Sequence, residues 1–514
     1  MENVNVLTST ASELQALLSQ NKTNSVELVK LYLNQIEAHN KDGLKLNAII
    51  SIAPRDELLA IATSLDAERA ERGPRGPLHG IPVIVKDTIL TPSLHMDTTC
   101  GSYAFKGAVA SRDADIIERA KSAGMIILAK TNMSELGSSK GFLITSGWSA
   151  VGGQAQSPYV RGGVLPNATF MGHSTPCGSA SGSAIGVAAG FAPVALGTEV
   201  DGSLVQPSTR AALYGLKCTL GTTDLTGIQA GAKAFSSLGG MAKSVKDLAE
   251  LLKLIQGTDY SSFLTNSWEG IRIGVVDPDL WQPADFVVEP NEEYRAETYK
   301  ALEDAINKIR DNGGDVQQPV QLVSLAELTS DPRGVSEIEE LMGFEFSSNF
   351  EEFSAYFENP NNVYTIEDLV QFNKEHKELE LPPEHPNQEI LEGALAGPNL
   401  SQEQYDFSLK LLRDHATSAI EKTLSDHKID AILGPADARM ASVAASAGYP
   451  IATVPLGFAS LNGRAFGVNV LGSAGSEGKM LRVMSAWEAT FPEARQPPPM
   501  LVSWSSENAN AVLE

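Results

Sequence analysis

Hydrophobic and polar positions along this chain change period several times, and the changes predict alternating helices and strands. Near the N-terminus, Thr10 and Glu13 stand at the spacing of a helix-opening capping box, and a helical pattern follows. Asn24 with Glu27 marks a second start, after which Val26, Val29, Leu33 and Ile36 fall on one helical face. Ile81–Val85 is a short apolar run rich in β-branched residues after Gly80 and predicts a buried strand. Asp113–Ala123 predicts a helix and Met125–Ala129 a strand, an alternation that favours α/β layering.

The pattern then lapses. Gly147–Gly182 is rich in Gly, Ser and Pro and has little period, so it predicts a long loop of the kind that carries function. A small-residue helix over Ser183–Gly190, a strand over Val194–Leu196 and a polar glycine turn over Gly197–Ser203 follow. Residues 335–395 are acidic and carry Phe344, Phe346, Phe350, Phe353, Tyr356 and Phe357. Two readings stand for them: helices packed on the core, or a variable lid over a substrate pocket. After Asp430, Ala431–Leu433, Ile451–Val454 and Phe466–Leu471 again read as strands. Neither an internal repeat nor a linker interrupts the pattern, so a single domain spanning 1–514 is expected.

Charge and cysteine content narrow the functional classes. The formal net charge of −24 argues against nonspecific binding to nucleic acid or anionic membranes, which both want a basic face. Cys100, Cys177 and Cys218 are odd in number and lack CxxC spacing, so no disulfide framework or zinc cluster is suggested. The most apolar stretch, Ala184–Leu196, is broken by glycines and Pro193 and is too short to span a bilayer. The start MENVNVLTST lacks a basic region followed by an apolar one, so a cytoplasmic protein is expected; a monomer or homodimer is expected as well.

The common nucleophile arrangements do not fit. None of the eight histidines lies in a GxSxG or HExxH context, and His79 and His173 read as hydrogen-bonded structural residues. There is no GxxxxGK[ST] segment, and Gly197-Thr-Glu-Val-Asp-Gly202 does not match GxGxxG. Three other features stand out together. A lysine, Lys86, ends the apolar strand Gly80-Ile-Pro-Val-Ile-Val-Lys86-Asp87. A serine-rich turn, Pro176-Cys-Gly-Ser179-Ala-Ser181-Gly-Ser183, enters the small-residue helix. A second turn, Gly197-Thr-Glu-Val-Asp-Gly-Ser203, places Ser203 24 positions after Ser179. Alone, each reads as a solvent-bound lysine, a serine-capped turn or a glycine turn.

In this order and spacing the three segments resemble the amidase signature family. The likeness runs from about Leu14 through Leu128-Ala-Lys-Thr-Asn132 to Ala447-Gly-Tyr-Pro-Ile-Ala-Thr-Val-Pro455 and Glu488, and is weakest over about 280–400. It implies an α/β fold in one domain, a central mixed twisted sheet covered by helices on both faces. The family-like core would span about 10–260 and 425–490, with a variable, lid-like helical region over about 280–400. Two departures from the usual Asp-x-Gly-Gly-Ser turn and following arginine, namely Glu199-Val-Asp201-Gly-Ser203 and Val205, look like the peptide amidase branch. So do Pro-Cys-Gly-Ser and Ser146-Gly-Trp-Ser-Ala-Val-Gly-Gly-Gln154. That branch releases ammonia from C-terminal carboxamides. The loop Tyr159–His173 is longer than in that branch by about Arg161–Met171.

The resemblance implies a relay in which Ser203 attacks the amide carbonyl and its proton passes through Ser179 to a neutral Lys86. A cis peptide bond would precede Ser179. Backbone N–H groups of Val200, Asp201, Gly202 and Ser203 would hold the oxyanion, and the apolar approach to Lys86 suits an amine kept neutral by burial. Gly137 and Trp148 are candidate substrate-binding positions, Trp148 with an equal claim to a structural role. Asp201, a carboxylate beside an oxyanion site, must point away or pair with a cation. Cys177 is a poor alternative nucleophile. No metal and no organic cofactor is implied. The same machinery would serve an amidotransferase A-type subunit, or an acyltransferase in which an amine or alcohol intercepts the acyl-enzyme; a catalytically dead binding protein is disfavoured because all three relay residues are present.

Overall fold

The computed structural model describes residues 4–330, 337–397 and 400–504; residues 335 and 336 of the acidic, aromatic stretch lie outside these. Eleven strands form one sheet: β1 (Ile49–Ile52), β2 (Pro82–Lys86), β3 (Ile126–Thr131), β4 (Val194–Glu199), β5 (Tyr214–Lys217), β6 (Ser237–Ala242), β7 (Arg272–Val276), β8 (Asp315–Val320), β9 (Ala431–Pro435), β10 (Ile451–Phe458) and β11 (Ala465–Leu471). Their spatial order is β1-β3-β2-β4-β6-β5-β10-β11-β9-β7-β8. The sheet is mixed. β2 runs parallel to both β3 and β4, whereas β4, β6, β5, β10, β11 and β9 pair antiparallel in succession.

Every residue of β2, β3, β4, β5 and β6 is buried, as a sheet covered on both faces requires. The Ser181–Ala188 helix packs on β2, β3 and β4, and the Val245–Gln256 helix on β4, β5 and β6. The first of these is small-residued for a steric reason. A Cβ on Gly186 would stand 2.4 Å from Ile84 Cδ1, so a larger residue there would have to displace the Ile84 side chain on β2.

At the N-terminus the capping box of Thr10 and Glu13 opens the Ala11–Ser19 helix, and Asn24 caps Ser25–His39. The segment Gly147–Gly182 is irregular except for the two-residue ribbon Trp148–Ser149 with Gly153–Gln154 and the first residues of the Ser181–Ala188 helix. Over the acidic stretch, helices Ile338–Ser354 and Ile366–Glu375 form, and Phe346, Phe350, Phe353 and Phe357 are buried. Phe350 and Phe357 pack against Phe105 with ring centroids 5.7 and 5.4 Å away, so these aromatics serve as core. Among the described residues no helix is long and apolar enough to cross a membrane.

Candidate functional site

Because β2 and β4 are parallel neighbours, their carboxyl ends lie at the same edge of the sheet, where α/β proteins build their sites. Lys86 is the last residue of β2, and the turn carrying Ser203 leaves β4 beside it. Ser179 reaches the same edge from the loop that enters the Ser181–Ala188 helix. Two backbone bonds fix that loop: Ser134 N–H donates to Ser179 O at 3.0 Å, and Ala180 N–H to Ser203 O at 2.9 Å. The Gly178–Ser179 peptide is cis, as the resemblance implies.

These elements bring the three side chains into one chain of hydrogen bonds. Lys86 Nζ and Ser179 Oγ are 2.8 Å apart, and Ser179 Oγ and Ser203 Oγ 3.0 Å. Lys86 Nζ also donates to the Thr198 carbonyl at 3.2 Å. Lys86 and Ser179 are buried, whereas Ser203 is half-buried and open to an incoming molecule. Burial pushes the Lys86 amine down to about 7, with Glu199 and Cys100 pulling the other way. Among the described residues no carboxylate forms an ion pair with it.

The turn after β4 is held by its own acid. Glu199 Oε2 accepts from Leu204 N–H at 2.7 Å and Val205 N–H at 2.9 Å, and so caps the Val205–Arg210 helix. Gly202 has φ +76° and a Cβ there would meet Gln206 at 2.6 Å, so glycine alone fits. Among the described residues nothing accepts a hydrogen bond from the N–H of Val200, Asp201, Gly202 or Ser203, which leaves four turn donors unpaired. Asp201 is committed elsewhere. Both its oxygens accept from Ser442 Oγ, at 2.9 and 2.7 Å, and Arg439 lies 3.6 Å away. It thus pairs with a cation, one of the two arrangements its position demands.

Of the other candidates, Gly137 borders the site: φ there is +71°, and a Cβ would approach Ser179 Oγ to 4.0 Å. Trp148 is buried with His385 4.4 Å from its ring and the Lys140 ammonium 5.2 Å from its centroid. The Cys177 thiol is fully buried and burial pushes its pKa up, which opposes thiolate formation. His79 and His173 are hydrogen-bonded inside the fold, to Leu65 O and to Glu289 O, each at 3.0 Å. Among the described residues no group of His, Cys, Asp and Glu is arranged to hold a metal ion. A cavity of about 200 Å³ beside Trp281, Tyr294, Asp437 and Phe466 is lined by none of Lys86, Ser179 and Ser203.

Sequence reading missed several buried polar groups around the site. Lys130 lies 3.5 Å from Asp87 and donates to Thr98 Oγ1 at 2.8 Å and to Ile89 O. Asp87 in turn accepts from Thr99 N–H at 3.1 Å, so the chain just after Lys86 is tied down. Asn132 bridges Asn47 O at 2.8 Å and Gly153 O at 2.9 Å. The apolar run around Lys130 was the available signal, since a lysine inside Ile126–Thr131 has to be paired.

The sequence model of the Amidase family matches residues 27–442. The native peptide amidase of Stenotrophomonas maltophilia is 32% identical, with a TM-score of 0.83 over 96% of this chain and 98% of that one. An amidase family protein from Bacillus anthracis is 27% identical, also with a TM-score of 0.83, over 97% of this chain and 95% of its own. The A-type subunit of glutamyl-tRNA(Gln) amidotransferase from Thiobacillus denitrificans is 30% identical over 94% of this chain and 98% of that protein. The chain therefore belongs to the amidase signature family and is an enzyme that hydrolyses amide carbon–nitrogen bonds.

Proposed function

We propose that the protein converts primary carboxamides on peptide-like or bulky apolar acyl groups to carboxylate and ammonia through an acyl-enzyme on Ser203. The observation that carries this reading is the buried lysine, without a carboxylate ion-pair partner among the described residues, joined through Ser179 to Ser203. A neutral Lys86 accepts the Ser179 proton while Ser179 accepts that of Ser203, and the Ser203 oxygen attacks the carbonyl carbon. The oxyanion would lie against the N–H groups of Val200, Asp201, Gly202 and Ser203. The relay then runs in reverse: Lys86 returns its proton through Ser179 to the leaving nitrogen, the C–N bond breaks and ammonia departs. Water, deprotonated by the same route, hydrolyses the ester and frees Ser203. Lysine and two serines supply every proton transfer, so activity should survive exhaustive chelation.

The peptide-amide preference rests on the Glu-Val-Asp-Gly-Ser turn and Val205, together with the similarity to the Stenotrophomonas enzyme. An ammonia-release screen of the isolated chain against peptide amides, aryl amides and short aliphatic amides, without ATP or tRNA, tests it. Turnover of peptide amides above the others is expected. Turnover confined to short aliphatic amides would remove the substrate class and leave the relay. Activity only with partner subunits, ATP and tRNA would favour the amidotransferase reading. Repeating the screen with an added amine distinguishes hydrolysis from acyl transfer.

A further inference from the structure

Arg210 closes the helix that follows Ser203, and the relay gives it no task. It is only 2% exposed, yet every donor of its guanidinium is occupied. Nη1 donates to Gly172 O at 2.7 Å and Thr175 O at 3.0 Å, and Nη2 to Met171 O at 2.7 Å and Asp437 Oδ1 at 3.2 Å. Nε reaches the same Asp437 oxygen at 3.4 Å. The other Asp437 oxygen accepts from Tyr294 Oη at 3.0 Å and from Arg464, whose Nη1 meets His173 Nδ1 at 2.7 Å. Burial works against the charge on Arg210, and Asp437, with Cys177 and Tyr294 behind it, outweighs burial. Asp437 itself is held below the usual carboxylate range: burial opposes this, and Arg210 and Arg464 outweigh it.

The three carbonyls gathered on Arg210 belong to one stretch, Met171–Thr175, four residues short of Ser179. The guanidinium stands seven residues beyond Ser203, at the far end of a helix whose start is capped by Glu199. Each serine is therefore joined to Arg210 by a short run of chain, and Ala180 N–H to Ser203 O closes the loop on the other side. The long stretch Arg161–Met171 ends on the same anchor.

We propose that Arg210 is a positioning residue that sets the separation of Ser179 and Ser203 by holding the Met171–Thr175 loop against the end of the nucleophile helix. Only a planar fork with five donors can serve three carbonyls and a carboxylate at once; a lysine offers three donors from one point. This inference rests on the Lys86–Ser179–Ser203 reading. Arg210 touches no reacting atom, and it acts through the geometry of the two serines, where a shift of about 1 Å changes rates by roughly 100-fold.

The test uses the full chain with Arg210→Lys, Arg210→Met and Asp437→Asn. Three quantities are measured per folded molecule: kcat and KM for ammonia release from N-acetylphenylalaninamide, the rate of Ser203 labelling by a fluorophosphonate, and the pH midpoint of that labelling. Arg210→Met should lower kcat and labelling by tenfold or more, with KM within threefold and the pH midpoint unmoved, because the burial of Lys86 is untouched. Arg210→Lys should fall between it and the parent, and Asp437→Asn should lose at least threefold. A folded Arg210 variant with native kcat and labelling, however low its melting temperature, overturns the proposal, as does a change confined to KM. If neither Arg210 variant folds, native kcat in Asp437→Asn overturns it. Failure of the fluorophosphonate to label Ser203 in the unmutated protein would instead sink the relay reading on which the proposal stands.

Discussion

Lys86 and Lys140 sit in neighbouring regions, 2% and 1% exposed, and burial pushes each toward the neutral amine. At Lys86 burial wins, because its partners are a hydroxyl and a carbonyl. At Lys140 it loses. Glu135 and Glu380 stand 2.7 and 2.6 Å from Nζ and raise its pKa above the ordinary value. Glu380 also accepts from Ser102 Oγ at 3.0 Å and Tyr103 N–H at 2.7 Å. The charged lysine thus fastens residue 380, in the helical region, to the loop that carries Gly137 and Trp148. Burial favours the neutral amine, and with no carboxylate paired to it among the described residues Lys86 fits the proposed role of base.

Exchanging the two lysines for methionine separates those roles most sharply. Lys86→Met, like Ser203→Ala and Ser179→Ala, should reduce turnover by several orders of magnitude, since members of one relay act as a unit. Steady-state rates on the best amide check this, and near-native turnover in Ser203→Ala alongside loss in Cys177→Ala would reassign the nucleophile. Lys140→Met should do the reverse. It leaves two carboxylates buried without their cation and should cost about 3–5 kcal/mol in denaturant unfolding, with turnover per folded molecule within a few-fold of the parent. Asp201→Asn should have the smallest effect. Ser442 can still donate to the amide oxygen, and the ion pair lost is to a half-exposed arginine, so stability should change by about 1 kcal/mol or less and kcat by under tenfold.

The contrast also marks what the sequence could reveal. The strand ending at Lys86 was legible because five apolar residues precede it; read as Ile81–Val85, it forms one position later, over Pro82–Lys86. The small-residue helix, read as Ser183–Gly190, forms over Ser181–Ala188, because the serine turn winds directly into it. The Arg55–Arg72 helix gave little signal: it buries only Leu58, Ala62 and Leu65 among eighteen residues. Lys140 and Glu380 lie 240 positions apart and Arg210 and Asp437 227, and no local pattern announces which distant charges will meet. The three relay candidates were found through their motifs, and their neighbours required coordinates.

The most direct test of the central claim follows the second-order rate of Ser203 labelling by a fluorophosphonate from pH 5 to 10. As the proposed base, Lys86 would act only when neutral, so below its pKa the rate should fall tenfold per pH unit, and above it the rate should level off. A buried lysine base gives a single midpoint near 7, abolished in Lys86→Met. A midpoint near that of free lysine, about 10.4, a maximum in acid, or an unchanged profile in Lys86→Met would contradict it.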